Sequence, residues 1–274
     1  KERIVDFLIN NHIYKTKEEN WRNLFENKWC NVDNYGFFLV DKNDIVGYFG
    51  LVFSNQKLFN NNYLANIHSW VVKPEYRGHS LLLLKEVIKL NNILFTSHST
   101  INSILKIYFR YNWKVLDENY YCIFGSFYPN NKIKIENITE NNCNSLSTFN
   151  KKIFLDHCKY NAIFFKIIVD NQEIFIIGKS KKIKRIIKFF EILYVSNIEL
   201  FNSYGYKFIN SLKSKTNSLF CRIDSRFIIN PKKIISLKYK MKNTKKIFFN
   251  KDIIKNENLY MLNNLYSEIF LLDT

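Results

Sequence analysis

The sequence predicts an α+β fold of two domains, each with a mixed, mostly antiparallel sheet flanked by helices. Three observations lead to this prediction. The chain has 274 residues, 47% of them hydrophobic, which suffices for one large core or two ordinary ones. Apolar runs with helical spacing alternate with β-rich runs. The same order partly recurs beyond a stretch rich in Asn and Ser, so we expect domains at residues 1–130 and 131–274.

The first half predicts helices and strands in the order helix, helix, strand, strand, strand, helix, strand, helix, strand pair. Its hairpin is indicated by two apolar, β-rich runs around Asp41-Lys42-Asn43-Asp44. The predicted elements are two helices in 3–30, a hairpin at 35–54, strands at 63–72 and 92–99, helices at 75–90 and 100–111, and a strand pair at 113–127.

The second half repeats part of this order after a predicted connector. A hairpin is indicated around Asp170-Asn171, as in the first half. The predicted elements are a connector at 128–160, a hairpin at 162–180, a strand at 189–196, a helix at 198–214, a strand at 218–227 and a closing strand at 264–272.

Composition narrows the function classes. No apolar run approaches the roughly 18 residues of a membrane span, and the first residues lack a signal-peptide pattern, so we expect a cytoplasmic protein without an integral membrane segment. The five cysteines are scattered and show no metal-ligand spacing, so we expect reduced thiols and no metal. The net charge of +17 is spread as single lysines, which gives little support to nucleic-acid binding.

The turn Lys73-Pro74-Glu75-Tyr76-Arg77-Gly78 lies between an apolar strand and a leucine-rich helix. The first backbone N–H groups of a helix have no partners within the helix, so such a turn is suited to bind an anion. The sequence therefore predicts a site for a phosphorylated ligand at this turn.

This turn and the order of elements resemble the GCN5-related N-acetyltransferase (GNAT) family over residues 1–127. The family motif R/Q-x-x-G-x-G/A aligns with Arg77-Gly78-His79-Ser80-Leu81-Leu82, where Ser80 and Leu82 replace small motif residues. The resemblance implies that backbone amides from Arg77 to Leu82 hold the pyrophosphate of acyl-coenzyme A (acyl-CoA). We also expect His79 to contact phosphate.

A second motif in the same region extends the resemblance. Tyr108-Phe109-Arg110-Tyr111-Asn112-Trp113 fits the family spacing in which a tyrosine precedes Gly-Phe by four residues. Asn112 replaces the glycine, and Asn is the other residue that accepts a left-handed helix end. The family role implied for Tyr108 is a hydrogen bond, or a proton, given to the departing thiolate.

The resemblance also implies a reaction site between two diverging strands. A backbone amide near Val71 or Val72 would polarise the thioester carbonyl. His68 and His98 lie on the two strands, and a neutral imidazole can accept a proton from an amine, so both are candidate general bases. Either histidine can instead be an ordinary hydrogen-bonded sheet residue.

The function implied is acyl transfer from coenzyme A, with acetyl-CoA as the expected co-substrate, to a small-molecule amine. Tandem proteins of this kind resemble those linked to bacterial surface polysaccharide, which suggests an amino-sugar acceptor by analogy. The second half has Asn197-Ile198-Glu199 where an R-G turn belongs, and an acidic helix start repels pyrophosphate. We therefore expect a degenerate second GNAT-like domain that covers the acceptor site.

Three alternatives stay open. A longer acyl group on coenzyme A or on an acyl carrier protein would fit the relaxed glycine pattern and the 17% aromatic content. A non-catalytic binding module would result if Ser80 and Leu82 close the cofactor site. A nucleic-acid binder ranks third. The sequence leaves the oligomeric state open.

Overall fold

The computed structural model describes residues 1–56, 63–127, 133–228, 234–251 and 256–272. The chain divides into two compact units, each with its own sheet and core. The first unit consists of Lys1–Leu116, Thr244–Leu262 and Tyr266–Thr274, and the second consists of Asp117–Asn243 and Asn263–Leu265.

The elements follow each other along the chain in three groups. The first group is α1 (Glu2–Asn11), α2 (Glu18–Glu26), β1 (Gly36–Asp41), β2 (Asp44–Ser54), β3 (Tyr63–Val72), α3 (Ser80–Lys89), β4 (Ile93–Ile101), α4 (Asn102–Arg110) and β5 (Lys114–Asp117). The second is β6 (Asn119–Ser126), β7 (Ile135–Asn137), α5 (Thr148–His157), β8 (Ile163–Val169), β9 (Gln172–Ile183), β10 (Ile187–Val195), α6 (Ile198–Lys215), β11 (Phe220–Asp224) and β12 (Ile234–Lys240). The last is β13 (Thr244–Phe249) and α7 (Glu268–Leu271).

The sheet of the first unit has the strand order β1-β2-β3-β4-β13-β5. Its predicted hairpin is confirmed, and the turn residues Lys42 and Asn43 both have positive φ angles of 45° and 73°. Buried side chains from β2, β3, α3 and α4 form the core, with Phe49, Leu84 and Tyr108 at 1% exposure or less.

The parallel pair of this sheet separates toward the carboxyl ends of its strands. The register runs from Tyr63 opposite Ile93 to Asn66 opposite Thr96. Beyond it, β3 continues beside β2 and β4 continues beside β13. We call this divergence the fork, formed by residues 67–72 of β3 and 97–101 of β4. It is the gap that the family resemblance implies.

The sheet of the second unit has the strand order β12-β6-β11-β10-β9-β8-β7, with β10 and β11 as a parallel pair. The predicted hairpin is confirmed here too, because β8 pairs with β9 through Asp170 and Asn171, both with positive φ. Asn197 caps α6 by accepting a hydrogen bond of 2.8 Å from the amide of Leu200, which satisfies one of the free amides at the helix start.

The units divide at residues 116 and 117, whereas the sequence places the domain boundary at 130. The predicted strand pair at 113–127 is split, with β5 in the first sheet and β6 in the second. Neighbouring strands normally pair, so the sequence gives no reason to separate them. The first unit also receives β13, a strand that the sequence did not predict.

Two further predictions need correction. The predicted closing strand at 264–272 is wrong, because this segment contains the short helix α7. The segment is buried, and a short, mainly apolar run does not distinguish a buried strand from a buried helix. The connector at 128–160 contains β7 and α5, which begins at a Ser147 cap; its residues 128–132 lie outside the described residues.

Candidate active site

A cavity of about 550 Å³ opens at the fork of the first unit. Its walls come from the diverging parts of β3 and β4, from α4, and from the segment between α1 and α2. Arg77 and Ser80 line it at the start of α3, and Glu268 lines it from α7. The cavity therefore joins the predicted anion site to the gap between the strands.

The anion site begins with a 3-10 helix, Pro74–His79, that runs directly into α3. Tyr76 anchors this turn by donating a hydrogen bond of 2.6 Å to Asp41. The amide of Ser80 donates to the carbonyl of Arg77, so this amide is already used within the turn. The expectation that the amides from Arg77 to Leu82 are free for pyrophosphate therefore does not hold for Ser80.

The side chains at the turn leave space beside it. Gly78 has no positive φ, and a Cβ placed on it meets no atom within 4 Å, so the fold itself does not require glycine there. Leu81 and Leu82 are 38% and 48% exposed, and His79 is exposed as well. Ser80 lines the cavity without filling it. These positions do not support closure of the site by Ser80 and Leu82.

Arg77 supplies the positive charge at this end of the cavity. It is exposed, and it has no hydrogen bond or ion pair with any residue that the structure describes. A guanidinium without a protein partner can bind a phosphate through two parallel hydrogen bonds.

The predicted carbonyl-polarising amides, Val71 and Val72, both line the cavity. Lys73 donates its amide to Val46 of β2, and the amides of a strand point alternately to its two edges. The amide of Val72 therefore points away from β2, toward the fork, while that of Val71 points toward β2. Of the two, Val72 is the one placed to act on a ligand in the fork.

Tyr108 lines the cavity from α4 and is 1% exposed. Its ring packs edge-on against Trp70 and Trp113, with centroid distances of 5.6 and 4.9 Å. Burial, and to a lesser degree the carboxylate of Glu268, raises the pKa of Tyr108. The hydroxyl therefore stays protonated at neutral pH and acts as a hydrogen-bond donor.

His68 lines the cavity, and its Nδ1 lies 2.9 Å from the hydroxyl of Ser69. Its ring occupies the space left by Gly50, since a Cβ on that glycine would lie 2.0 Å from the ring. Enclosure of the ring, followed by the nearby His12, lowers the pKa of His68 to about 3. So low a pKa makes His68 a poor proton acceptor for an amine.

His98 is buried at 4% exposure and is absent from the lining of the cavity, although Ser97 and Ser99 on either side belong to it. The structure thus does not bring His98 together with Tyr108 and His68, and the geometry weakens its predicted role as a base.

The residue that sequence reasoning missed is Glu268. It is 1% exposed, it lines the cavity, and its Oε1 accepts hydrogen bonds from Ser99 Oγ at 2.9 Å and from the His98 amide at 3.1 Å. The one signal in the sequence is an acidic residue inside the mainly apolar run 264–272, where the pattern predicts a strand. Charged residues are rarely fully buried without a function or a partner.

Residues 3–89, which contain α1 to α3, match the model of the acetyltransferase (GNAT) family. The match is confined to this segment of the first unit. The chain also resembles the fold of a tandem GNAT protein from the clavulanic acid biosynthesis pathway, at 6% identity, with 93% of this chain and 95% of that chain covered and a TM-score of 0.51. Both units therefore form a tandem GNAT fold.

Other solved structures are similar to the chain. A candidate acetyltransferase from Pyrococcus horikoshii aligns at 10% identity over 94% of this chain and 89% of its own, with a TM-score of 0.52. A GCN5-related N-acetyltransferase from Kribbella flavida aligns at 9% identity and a TM-score of 0.48, and only 59% of its length is covered. No curated protein matches the sequence. The likeness to the clavulanic acid pathway protein and to the Pyrococcus horikoshii protein, at 6% and 10% identity, shows the fold alone.

In the second unit, an asparagine side chain bridges the parallel pair just beyond its register. The register of β10 and β11 ends with Ile192 opposite Ile223. Just beyond it, the side chain of Asn264 donates hydrogen bonds to the carbonyl of Leu193 at 3.1 Å and to Asp224 at 3.0 Å. A polar side chain thus connects the two strands where the first unit has its cavity.

The described residues show neither a membrane-spanning helix nor a cluster of metal-ligating side chains. Within that part of the chain, no helix combines the length and the apolar character needed to cross a bilayer. In the same residues, no group of three or more His, Cys, Asp or Glu side chains is arranged to hold a metal ion.

Proposed function

We propose that the first unit is an acyl-CoA-dependent N-acyltransferase. The observation that carries this proposal is the continuous cavity from Arg77 to Tyr108 through the fork of a GNAT domain. A nucleotide-linked thioester is a long ligand with a charged end and a reactive end. The cavity offers, at one end, a cation with no partner among the described residues and, at the other, a buried hydroxyl.

The donor would bind with its phosphates at the start of α3. Arg77 pairs with them, and Gly78 lets them approach the backbone closely, because no side chain occupies the space beside it. The thioester then lies in the fork, where the Val72 amide polarises its carbonyl and stabilises the oxyanion that forms on attack.

Tyr108 would assist departure of the thiolate. Its raised pKa disfavours full proton transfer to sulfur, so the role we propose is a hydrogen bond donated to the leaving group. Such a bond strengthens as negative charge develops on sulfur, which is the condition for lowering the barrier.

Acetyl-CoA is the donor that we propose, with an amine as the acceptor. By analogy with tandem proteins linked to bacterial surface polysaccharide, the acceptor that we propose is an amino sugar. We assign donor binding to the first unit, because Asn264 and the Asn197 cap supply polar partners at the corresponding places of the second.

Calorimetry with coenzyme A tests the proposal. We expect saturable binding that Arg77→Ala weakens about tenfold, which is the value of one lost phosphate contact. Arg110→Ala is the matched control, because Arg110 is exposed on α4 and lies outside the cavity lining. Gly78→Ala should also weaken binding while leaving the unfolding temperature unchanged. Absence of binding at high micromolar coenzyme A would overturn the proposal.

A further inference from the structure

We infer that Glu268 is the catalytic residue that accepts the proton of the acceptor, and that the acceptor enters as a cationic primary amine. This inference rests on the proposed function, because it assigns the base of that same reaction. The proposed donor site and the proposed role of Tyr108 are unchanged by this assignment.

The two carboxylate oxygens of Glu268 have different surroundings. Oε1 is held by Ser99 and by the amide of His98 on β4, and the backbone N–H of Glu268 donates to Asn66 on β3 at 3.0 Å. These three bonds fix the residue across the base of the fork. Oε2 is buried and has no hydrogen-bond partner among the described residues.

A buried carboxylate oxygen without a partner is costly, because the lost hydration is not replaced. The cost is removed if a ligand supplies the partner. Glu268 lines the cavity, so an acceptor that enters the fork approaches this carboxylate. The group that best pairs with a desolvated carboxylate is an ammonium, which provides both charge and hydrogen-bond donors.

The other titratable side chains of the cavity are less suited to this task. Those that line it are His12, Tyr14, His68, Arg77 and Tyr108. Burial lowers the pKa of both histidines, with that of His68 at about 3, whereas burial raises the pKa of Glu268 above that of an ordinary carboxyl group. Arg77 is positively charged and Tyr108 donates a hydrogen bond, so neither is suited to accept the proton.

The groups on the neighbouring elements complete the electrostatic surroundings of Glu268. The backbone amide of His98 on β4 donates a hydrogen bond to Glu268, and Tyr108 on α4 lies close enough to respond to its charge. A carboxylate among these groups is both an anionic binding site and a proton acceptor.

The proposed reaction transfers one nitrogen proton to Glu268 and a second to the departing sulfur. The ammonium gives one proton to Oε2 and becomes a neutral amine. Its lone pair forms the new C–N bond at the thioester carbonyl, and the C–S bond breaks as the tetrahedral species collapses. The second nitrogen proton goes to the departing thiolate, which leaves as a thiol, and Glu268 returns its proton to solvent.

The inference also limits the acceptor class. A ligand whose reactive amine lies beside a carboxylate of its own would place two negative charges near each other in the fork. Apolar side chains such as Ile101, Ile104, Ile107 and Leu272 form much of the remaining wall. We therefore expect amines on neutral or apolar carriers to be preferred over amino acids with a free carboxylate.

The test compares two amines that differ in protonation. Thiol release from acetyl-CoA is measured with 2-phenylethylamine, which is cationic at neutral pH, and with hydroxylamine, which is already neutral. Glu268→Gln keeps an oxygen for Ser99 and His98 but cannot accept the proton. We expect it to slow the reaction of 2-phenylethylamine about 100-fold or more and that of hydroxylamine far less. A purely structural role would slow both equally.

Further arms separate the possible failures. Coenzyme A binding by the wild-type protein reports on the proposed function alone. If the wild type is active and Glu268→Gln slows both amines equally, or neither, the inference is overturned while the proposed function stands. If Glu268→Gln does not fold, Glu268→Asp keeps the charge and withdraws it by one methylene. Glu268→Asp should then slow the reaction of 2-phenylethylamine more than that of hydroxylamine. An equal loss for both amines would overturn the inference.

Discussion

At the residue scale, burial shifts the pKa values of three side chains that line the cavity, raising two of them and lowering the third. Tyr108 has a raised pKa and donates, and Glu268 has a raised pKa and accepts more readily than an ordinary carboxylate. His68 is held neutral. Groups with shifted pKa values that share one cavity are typical of catalytic sites, and here burial causes each shift.

Replacing Tyr108 by Phe tests the leaving-group role directly. We expect turnover to fall roughly 10- to 100-fold, because a hydrogen bond to a charged partner contributes about 1.5–3 kcal/mol. The dissociation constant for acetyl-CoA should change little, since the bond strengthens only as sulfur becomes negative. Tyr111→Phe, at the end of α4, is the control. An unchanged turnover number would exclude Tyr108 from the mechanism.

Sequence reasoning found the residues whose signals are local. Arg77 and Tyr108 lie in short motifs, and both line the cavity. Glu268 was missed because its hydrogen bond to the His98 amide joins residues 170 positions apart. No periodicity or spacing in one sequence reports a contact of that kind. The candidate histidines were chosen for their chemistry, and their burial could not be read from the sequence.

At the element scale, the turns whose own residues carry a clear sequence signal were predicted correctly. The hairpins β1–β2 and β8–β9 were located from Asn and Asp at their turns, and Asn43 and Asn171 adopt the left-handed conformation that Asn tolerates. Asn112 does the same at the end of α4, with φ of 63°. In contrast, nothing local marked β13, whose position depends on pairing with β4.

Helix α5 makes the second unit sensitive to acid. His157 is fully buried, its Nδ1 lies 2.8 Å from the carbonyl of Ile153, and burial lowers its pKa to about 4. The unfolded chain binds this proton near pH 6.5. The contribution to stability is therefore complete above pH 6.5 and declines, by up to about 3 kcal/mol, as the pH falls toward 4.

Urea unfolding at pH 7.5 and pH 4.5 measures this effect. His157→Gln should lose less free energy of unfolding between the two pH values than the wild type, even if it is less stable at pH 7.5. His79→Gln, which changes an exposed histidine, should behave as the wild type does. Equal pH dependence in all three proteins would show that His157 does not control acid stability.

At the scale of the whole molecule, the first unit needs residues from both parts of the chain. Strand β13 lies between β4 and β5 in its sheet, and α7 supplies Glu268. A fragment of residues 1–130, the domain expected from sequence, therefore lacks a central strand. We expect this fragment to give no cooperative unfolding transition and no binding of coenzyme A.

The matched protein for this experiment joins residues 1–116 to 244–274 through a flexible linker, which restores every strand of the first sheet. We expect cooperative thermal unfolding by circular dichroism for the joined protein and a gradual change for the fragment. A sharp transition in the 1–130 fragment would mean that β13 is dispensable for the first unit.

The return of β13 and α7 also has a consequence during protein synthesis. The ribosome must translate residues 117–243 before β13 is made and can pair with β4. At roughly 5–20 residues per second, the nascent first unit waits on the order of ten seconds with one strand edge exposed. Such an edge is a site for aggregation or chaperone binding. Slow or stalled translation in this interval would thus lower the yield of active protein without any change in its amino-acid sequence.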